Sequence, residues 1–306
     1  MKEYDVVIIG AGPGGITAGL YCSRGELKTV CIEKLTPGGQ IANTDRIDDY
    51  PGFSSISGAE LANKMLEHAQ EFGLELEMDE AISVSLDGDY KIVKTSEDEY
   101  RCKALIVGTG GTPRYLKVPG EKDLYGKGVS YCAICDGAFF KGEKIAVAGG
   151  GDAAVEEGTF LTKFAEKVYI IHRRDQLRAA KVIQEHAFKN DKIEFIWDSV
   201  ITKVNGKDGV ESVSLKNVKT DEESTLEVGA VFPFIGFTPN NAILGDLVEK
   251  NEGGYVLTDY KMETATPGIY AIGDLRFQLC KQITNAVGDG TTAGVAAGKY
   301  IEEHFS

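Results

Sequence analysis

Apolar and polar residues follow two periods along the chain. Short apolar runs at 6–9, 29–32, 105–107, 145–148, 168–171, 230–235 and 269–272 each stop at glycine or polar residues, as buried strands do. Between them the apolar positions recur every three or four residues. Leu61, Met65, Ala69 and Phe72 fall on one face of a helix opened by Ser57 and Glu60, which stand at capping-box spacing. Residues 288–300 also read as helix. Strand and helix alternate, which predicts an α/β fold with parallel sheets.

The pattern occurs twice. Residues 6–34 read VVIIGAGPGGITAGLYCSRGELKTVCIEK, and residues 145–173 read IAVAGGGDAAVEEGTFLTKFAEKVYIIHR. Superposed, Gly10, Gly12 and Gly15 fall on Gly149, Gly151 and Ala154, and the second strands of the two stretches coincide. Each is a strand, a glycine turn, a helix and a second strand, a βαβ unit. Two such units predict two Rossmann-like dinucleotide-binding domains. Pro and Gly break the pattern near 112–119 and 237–240, so the second unit is expected as an insertion. Residues 1–113 and 243–306 then form one discontinuous domain and 114–242 the other.

The first glycine turn (Gly10, Gly12, Pro13, Gly14, Gly15) follows a strand, opens a helix and is answered by Glu33 at the next strand end. Glycines there let backbone amides approach a pyrophosphate at a helix N-terminus, and the carboxylate accepts ribose hydroxyls. A carboxylate repels a 2′-phosphate, so this unit suits FAD or NAD. In the second unit His172 stands in the place of Glu33, followed by Arg173, Arg174 and Arg178. Guanidiniums fork onto phosphate oxygens, so this unit, with Gly149, Gly151 and Ala154 at its turn, predicts NADPH. A solvated basic face is the plainer alternative.

Composition narrows the partners. The net charge of −14 argues against nucleic acid. No apolar run is long enough to cross a membrane, and residues 1–5 pass directly into a strand, so a cytoplasmic chain without a leader is expected. Six cysteines in 306 residues make no disulfide scaffold. Cys132 and Cys135 alone stand at a functional spacing, and C-x-x-C in an α/β chain reads as a redox dithiol. Zinc is the rival, but it needs four ligands, and none of the four histidines is near the pair in sequence. Asp136 directly follows and could serve as acid and base or as a turn cap; the two roles are compatible. Cys22, Cys31 and Cys102 read as buried small hydrophobes. Cys280, in a polar loop, is given no role.

GAGPGG, Gly38-Gly-Gln40, CAICDG, GGGDAAVEE, HRRDQLRA and TPGIYAIGD occur together and in order. Over essentially the whole chain this resembles the low-molecular-weight thioredoxin reductases, in which the dithiol lies inside the NADPH domain. The resemblance implies electron flow from NADPH through FAD to the Cys132–Cys135 disulfide and on to thioredoxin, in a homodimer whose NADPH domain rotates between half-reactions. It implies that Cys135 faces the flavin and Cys132 attacks the carrier. It extends the FAD contacts to Lys34, Gly39, Gln40, Asn43, Thr109, Gly110, Gly273, Asp274, Lys281, Gln282 and Ile283, and the NADPH contacts to Asp152 and Ala153. Three positions depart from the family pattern. Ala153 stands where a hydroxyl residue is common, Asp49 stands for Asn before Tyr50-Pro51-Gly52, and Lys281 for Arg before Gln282. Another carrier (glutaredoxin-like or peroxiredoxin-linked), a ferredoxin-type donor, and a non-enzymatic FAD redox sensor are the alternatives.

Overall fold

The structure is a computed structural model that describes residues 1–43, 47 and 49–305, with the side chains of Asn43 and Cys135 outside the described set. The chain divides into two compact units, Met1–Thr112 with Thr238–Ser306, and Pro113–Phe237.

The first unit opens with β1 (Lys2–Ile9), α1 (Pro13–Arg24) and β2 (Thr29–Glu33). The apolar run of β1 is continuous because β1 lies between β2 and a later strand and is buried on both faces. α2 (Gly58–Glu71) follows, with the Ser57 hydroxyl accepting from Glu60 N at 3.2 Å as the cap spacing predicts. Phe72 departs from the expected stripe. It ends the helix largely exposed, with the Arg24 guanidinium 5.4 Å above its ring. Next come β3 (Glu75–Met78), β4 (Ala81–Asp87), β5 (Tyr90–Thr95), β6 (Glu99–Val107) and β7 (Gly111–Pro113). All of these strands but β7 form a sheet in the order β3-β2-β1-β6-β5-β4. Along it β3, β2, β1 and β6 are parallel, and β5 and β4 are antiparallel additions.

The second unit carries α3 (Ala133–Asp136), β8 (Lys144–Ala148), α4 (Asp152–Leu161), β9 (Lys167–Ile171), α5 (Lys181–Phe188) and β10 (Ile193–Ile196). Three antiparallel strands follow, β11 (Ser199–Asn205), β12 (Ser212–Asn217) and β13 (Glu223–Glu227), and then β14 (Ala230–Pro233). The parallel sheet runs β10-β9-β8-β14 over a core of Val147, Leu161, Ile170 and Phe232.

The chain re-enters the first unit through β15 (Phe237–Pro239), which pairs with β7. Residues 238–242 pack with the first unit. Asn240 Nδ2 donates to Thr109 O at 3.0 Å, Thr112 Oγ1 donates to Asn240 Oδ1 at 3.0 Å, and Leu244 joins the core of Val7 and Leu105. β16 (Ile269–Ala271) then pairs with the second half of β6, beyond the stretch that β5 occupies. The last helix, α6 (Ile283–Phe305), is longer than its apolar pattern indicated. Its glycines bring it close to α1: a Cβ at Gly290 would lie 2.2 Å from Gly14 O, and one at Gly294 3.0 Å from Ala18 O. Backbone contact with α1 joins an apolar stripe of Ala293, Ala297, Tyr300 and Ile301 in holding this helix. Among the described residues no helix is long and apolar enough to cross a membrane.

Candidate active site

Both glycine turns contain glycines that the fold requires and one that it does not. At Gly10, with φ +100°, a Cβ would come 2.5 Å from Gly108 O; at Gly15 it would come 1.9 Å from Gly10 O. Gly12 differs. Its φ of −74° suits any residue, and a Cβ there meets nothing within 4 Å. Glycine at 12 leaves the amide end of α1, with Pro13 in its first turn, open to close approach. Gly151 repeats this at the start of α4, with φ −93° and nothing within 4 Å. Two helix N-termini are thus left bare on the side where a pyrophosphate would lie. Gly15→Ala should force α1 away from Gly10, at about 1–3 kcal/mol. The expected result is a lower ratio of flavin to protein absorbance after purification, with a lowered thermal midpoint.

In the first unit Glu33 is buried, and both its oxygens accept backbone hydrogen bonds, Oε2 from Ala11 N and Oε1 from Leu35 N, each at 2.8 Å. The carboxylate is fixed beside the turn, with lone pairs left for ribose hydroxyls. Lys34 lies outside this arrangement, exposed and 3.7 Å from Glu80. Gly38 N donates to Ala11 O at 2.7 Å, and Gly39, with φ +59°, packs its Cα side against Gly12. Gln40 Nε2 donates to Gly111 O at 2.9 Å. Asn43 ends the short 3-10 turn 39–43, and its side chain lies outside the described residues. Thr109 Oγ1 donates to Asn240 O at 2.7 Å, and Gly110 has φ +65°. At the far side, Gly273 (φ +63°) and Asp274 open a single 3-10 turn after β16, and Gln282 precedes Ile283 at the start of α6. The Lys281 ammonium lies 3.8 Å from the centre of the Tyr255 ring. Burial raises the pKa of Asp274, with Lys281 opposing the shift.

A buried pair holds this side together and has no local sequence signature. Asp289 Oδ2 accepts from Gly273 N at 3.0 Å, and Arg276 Nη1 approaches Asp289 Oδ1 at 3.3 Å. Arg276 also donates to Thr258 Oγ1 through Nε at 2.9 Å. An acid within the glycine-rich stretch 286–298 was the available signal.

In the second unit the residue at the strand end is separated from the arginines that follow it. His172 is buried, and Gly150 is glycine because a Cβ there would meet His172 Nδ1 at 2.3 Å. The ring therefore supports the turn from beneath and does not join the surface cluster. Its Nε2 is enclosed without a hydrogen-bond partner among the described residues. Arg173, Arg174 and Arg178 are exposed, and among the described residues none of the three is in a salt bridge. Arg178 N donates to Gly150 O at 2.7 Å, which ties the cluster to the turn. Burial lowers the pKa of His172, and Arg178, Arg174 and Arg173 lower it further. Ala154 is fully buried, Ala153 is exposed, and Asp152 Oδ1 accepts from Ala180 N at 2.6 Å.

A histidine with a lowered folded-state pKa stabilises the fold above its unfolded value of 6.5, and that contribution is lost as pH falls below it. The second unit should accordingly lose thermal stability as pH falls below about 6.5. His172→Asn should flatten that dependence in a melting series.

Cys132 is disulfide-bonded and immediately precedes α3, which contains the backbone of Cys135. Ser130, which belongs to no motif, connects the parts. Its Oγ accepts from Cys132 N at 3.1 Å and donates to Asp136 Oδ2 at 2.5 Å. The Asp136 carboxylate makes no cap bond to the following 3-10 turn and accepts from Ser130. Tyr131 OH donates to Glu121 Oε1 at 2.9 Å, and the buried Glu121 accepts from Leu116 N and Lys117 N at 2.7 Å each. Cys22, Cys31 and Cys102 are buried free thiols; burial pushes Cys22 and Cys102 up to about 12, so none supplies a thiolate at neutral pH. Cys280 is free and exposed. Among the described residues no three His, Cys, Asp or Glu side chains are grouped to hold a metal.

Two dinucleotide cradles and a disulfide define a flavin- and nicotinamide-dependent disulfide reductase, and the comparisons agree. The family described as "Pyridine nucleotide-disulphide oxidoreductase" matches residues 4–290. A thioredoxin reductase from Bacillus subtilis (strain 168) is 48% identical over 303 residues, covering 99% of this chain and 96% of that one. One from Listeria innocua serovar 6a is 47% identical over 304 residues, covering 99% and 95%. The crystal structure of thioredoxin reductase from Streptococcus pyogenes MGAS5005 superposes with a TM-score of 0.86 at 47% identity, covering 98% of this chain and 99% of that chain. The chain belongs to the thioredoxin reductases of this family.

Proposed function

We propose that the chain reduces the disulfide of thioredoxin with electrons from NADPH, passed through FAD to a Cys132–Cys135 pair. The observation that carries this reading is the contrast between its two open helix N-termini. One is flanked by a fixed carboxylate, Glu33, and the other by three exposed guanidiniums, in the same unit as the disulfide at Cys132. The carboxylate side takes FAD, through the turn 10–15 and Glu33, with Gly39, Gln40, Asn43, Thr109, Gly110 and Asp274 along its length. The arginine side takes the 2′-phosphate of NADPH, with Gly149 and Gly151 admitting the pyrophosphate. When bound, the flavin supplies a two-electron relay between nicotinamide and disulfide.

The chain's own groups do the rest. Cys132 attacks the carrier disulfide, and Asp136 handles the proton through Ser130, which touches both the Cys132 amide and the Asp136 carboxylate. The enzyme works as a homodimer. The test is anaerobic titration of flavin-loaded protein with NADPH. Bleaching of the flavin, with two new thiols per chain, supports the reading; bleaching without thiols would remove the cysteine pair from the electron path.

A further inference from the structure

Glu157 is half-buried, and one oxygen of its carboxyl is turned into the protein. Its Oε2 is enclosed and has no hydrogen-bond partner among the described residues. Its place follows from α4. Ala154, three residues before it, and Leu161, four after it, share one helical stripe with it. Both belong to the core that includes Ala133 of α3. Just past the end of α3, a Cβ on Gly137 would come 2.8 Å from Leu161 Cδ2. The turn of chain that begins at Cys132 therefore packs on the stripe carrying Glu157. Burial, and then the field of Glu156, pushes its pKa up to about 7.

We propose that Glu157 is a positioning residue of the redox couple, a half-enclosed carboxyl whose protonation is coupled to opening of the disulfide at Cys132. The inference rests on the C-x-x-C being the reducible pair. Reduction breaks one S–S bond and adds two electrons. With one proton it leaves a thiol and a thiolate; with two protons, two thiols. A neutral Glu157 tolerates the thiolate, whereas an ionised one opposes it. Thiolate and carboxyl then titrate as a pair with one proton between them. Reduction above pH 7 draws a proton onto that pair, and oxidation by the carrier releases it. Asp136 accepts from Ser130, and Asp136→Asn separates its contribution from that of Glu157.

The other charged groups on elements packed against α4 are Asp136 on α3, Lys144 on β8, Lys167 on β9, and Lys181, Glu185 and His186 on α5. None forms a salt bridge with Glu157 among the described residues, and Lys167 pairs with Glu194 at 3.3 Å. A carboxyl with a raised folded-state pKa costs stability as pH rises from 4.5 through about 7. Glu157→Gln removes that cost, so the variant is expected to fold.

The test is the pH profile of iodoacetamide alkylation of the reduced enzyme, for wild type, Glu157→Gln and Asp136→Asn. Thiols are generated in parallel with NADPH and with a phosphine reductant. The wild-type profile should show an inflection near pH 7 that Asp136→Asn keeps and Glu157→Gln loses. Above that pH, Glu157→Gln should alkylate roughly three- to tenfold faster. Superposed wild-type and Glu157→Gln profiles would overturn the proposal. Thiols that appear with the phosphine and not with NADPH would count against the functional reading, while the profiles still decide the role of Glu157. Reduced-minus-oxidised infrared spectra of the wild type near pH 6 give a check independent of the variant. A perturbed protonated-carboxyl band supports the coupling, and its absence contradicts it.

Discussion

Cys132→Ser is expected to abolish thioredoxin reduction, lowering carrier-dependent turnover by roughly a thousandfold or more, while NADPH continues to bleach the flavin. The separation follows from where the residue sits. Cys132 lies half-buried outside the start of α3, and neither glycine turn depends on it. Its backbone N–H is held by Ser130, so the turn keeps that hydrogen bond when the nucleophile and its disulfide are removed. Stopped-flow absorbance of the flavin, followed by steady-state NADPH oxidation with thioredoxin present, reads the two halves separately. Retained carrier turnover would show that electrons leave by a route that bypasses Cys132. Loss of both halves would point to a damaged fold.

The second large effect is expected from replacing Arg173 and Arg174 together with alanine. Each charged hydrogen bond to a 2′-phosphate contributes about 1.5–3 kcal/mol. The KM for NADPH should therefore rise by roughly a hundredfold or more, and that for NADH should change little. Both side chains are exposed, so the fold has little to lose by their removal. Arg178 is the less suitable target, because its backbone N–H bonds Gly150 and its segment shapes the turn. Equal losses with both nucleotides would mean that the arginines steer anions in general and do not recognise the phosphate.

The parts of this site visible in the sequence were those fixed by local geometry. Glycine at 10 and 15 is demanded by backbone approach within a few residues, and Glu33 follows at the end of the next strand. The C-x-x-C pair and the arginine run are likewise contiguous. What escaped was set by chain segments far apart in sequence. Asp289 and Arg276 meet Gly273 only because α6 returns along α1, and that return is held by glycines whose contacts are backbone to backbone. His172 looked like a member of the arginine cluster because it precedes it in the chain. Strand alternation turns its ring inward under Gly150. Ser130 and Glu121 carry no motif, and they became visible only when the segments around Cys132 had been folded together. Phe72 kept the helical spacing but fell at the end of α2, where the core no longer covers it.

The most direct measurement is thioredoxin-dependent oxidation of NADPH, with NADH alongside, using flavin-loaded protein and a thioredoxin from the same source. Fast turnover with NADPH and little with NADH is the expected result. No turnover with either nucleotide, in protein whose flavin dithionite still reduces, would contradict it and direct attention to a ferredoxin-type donor.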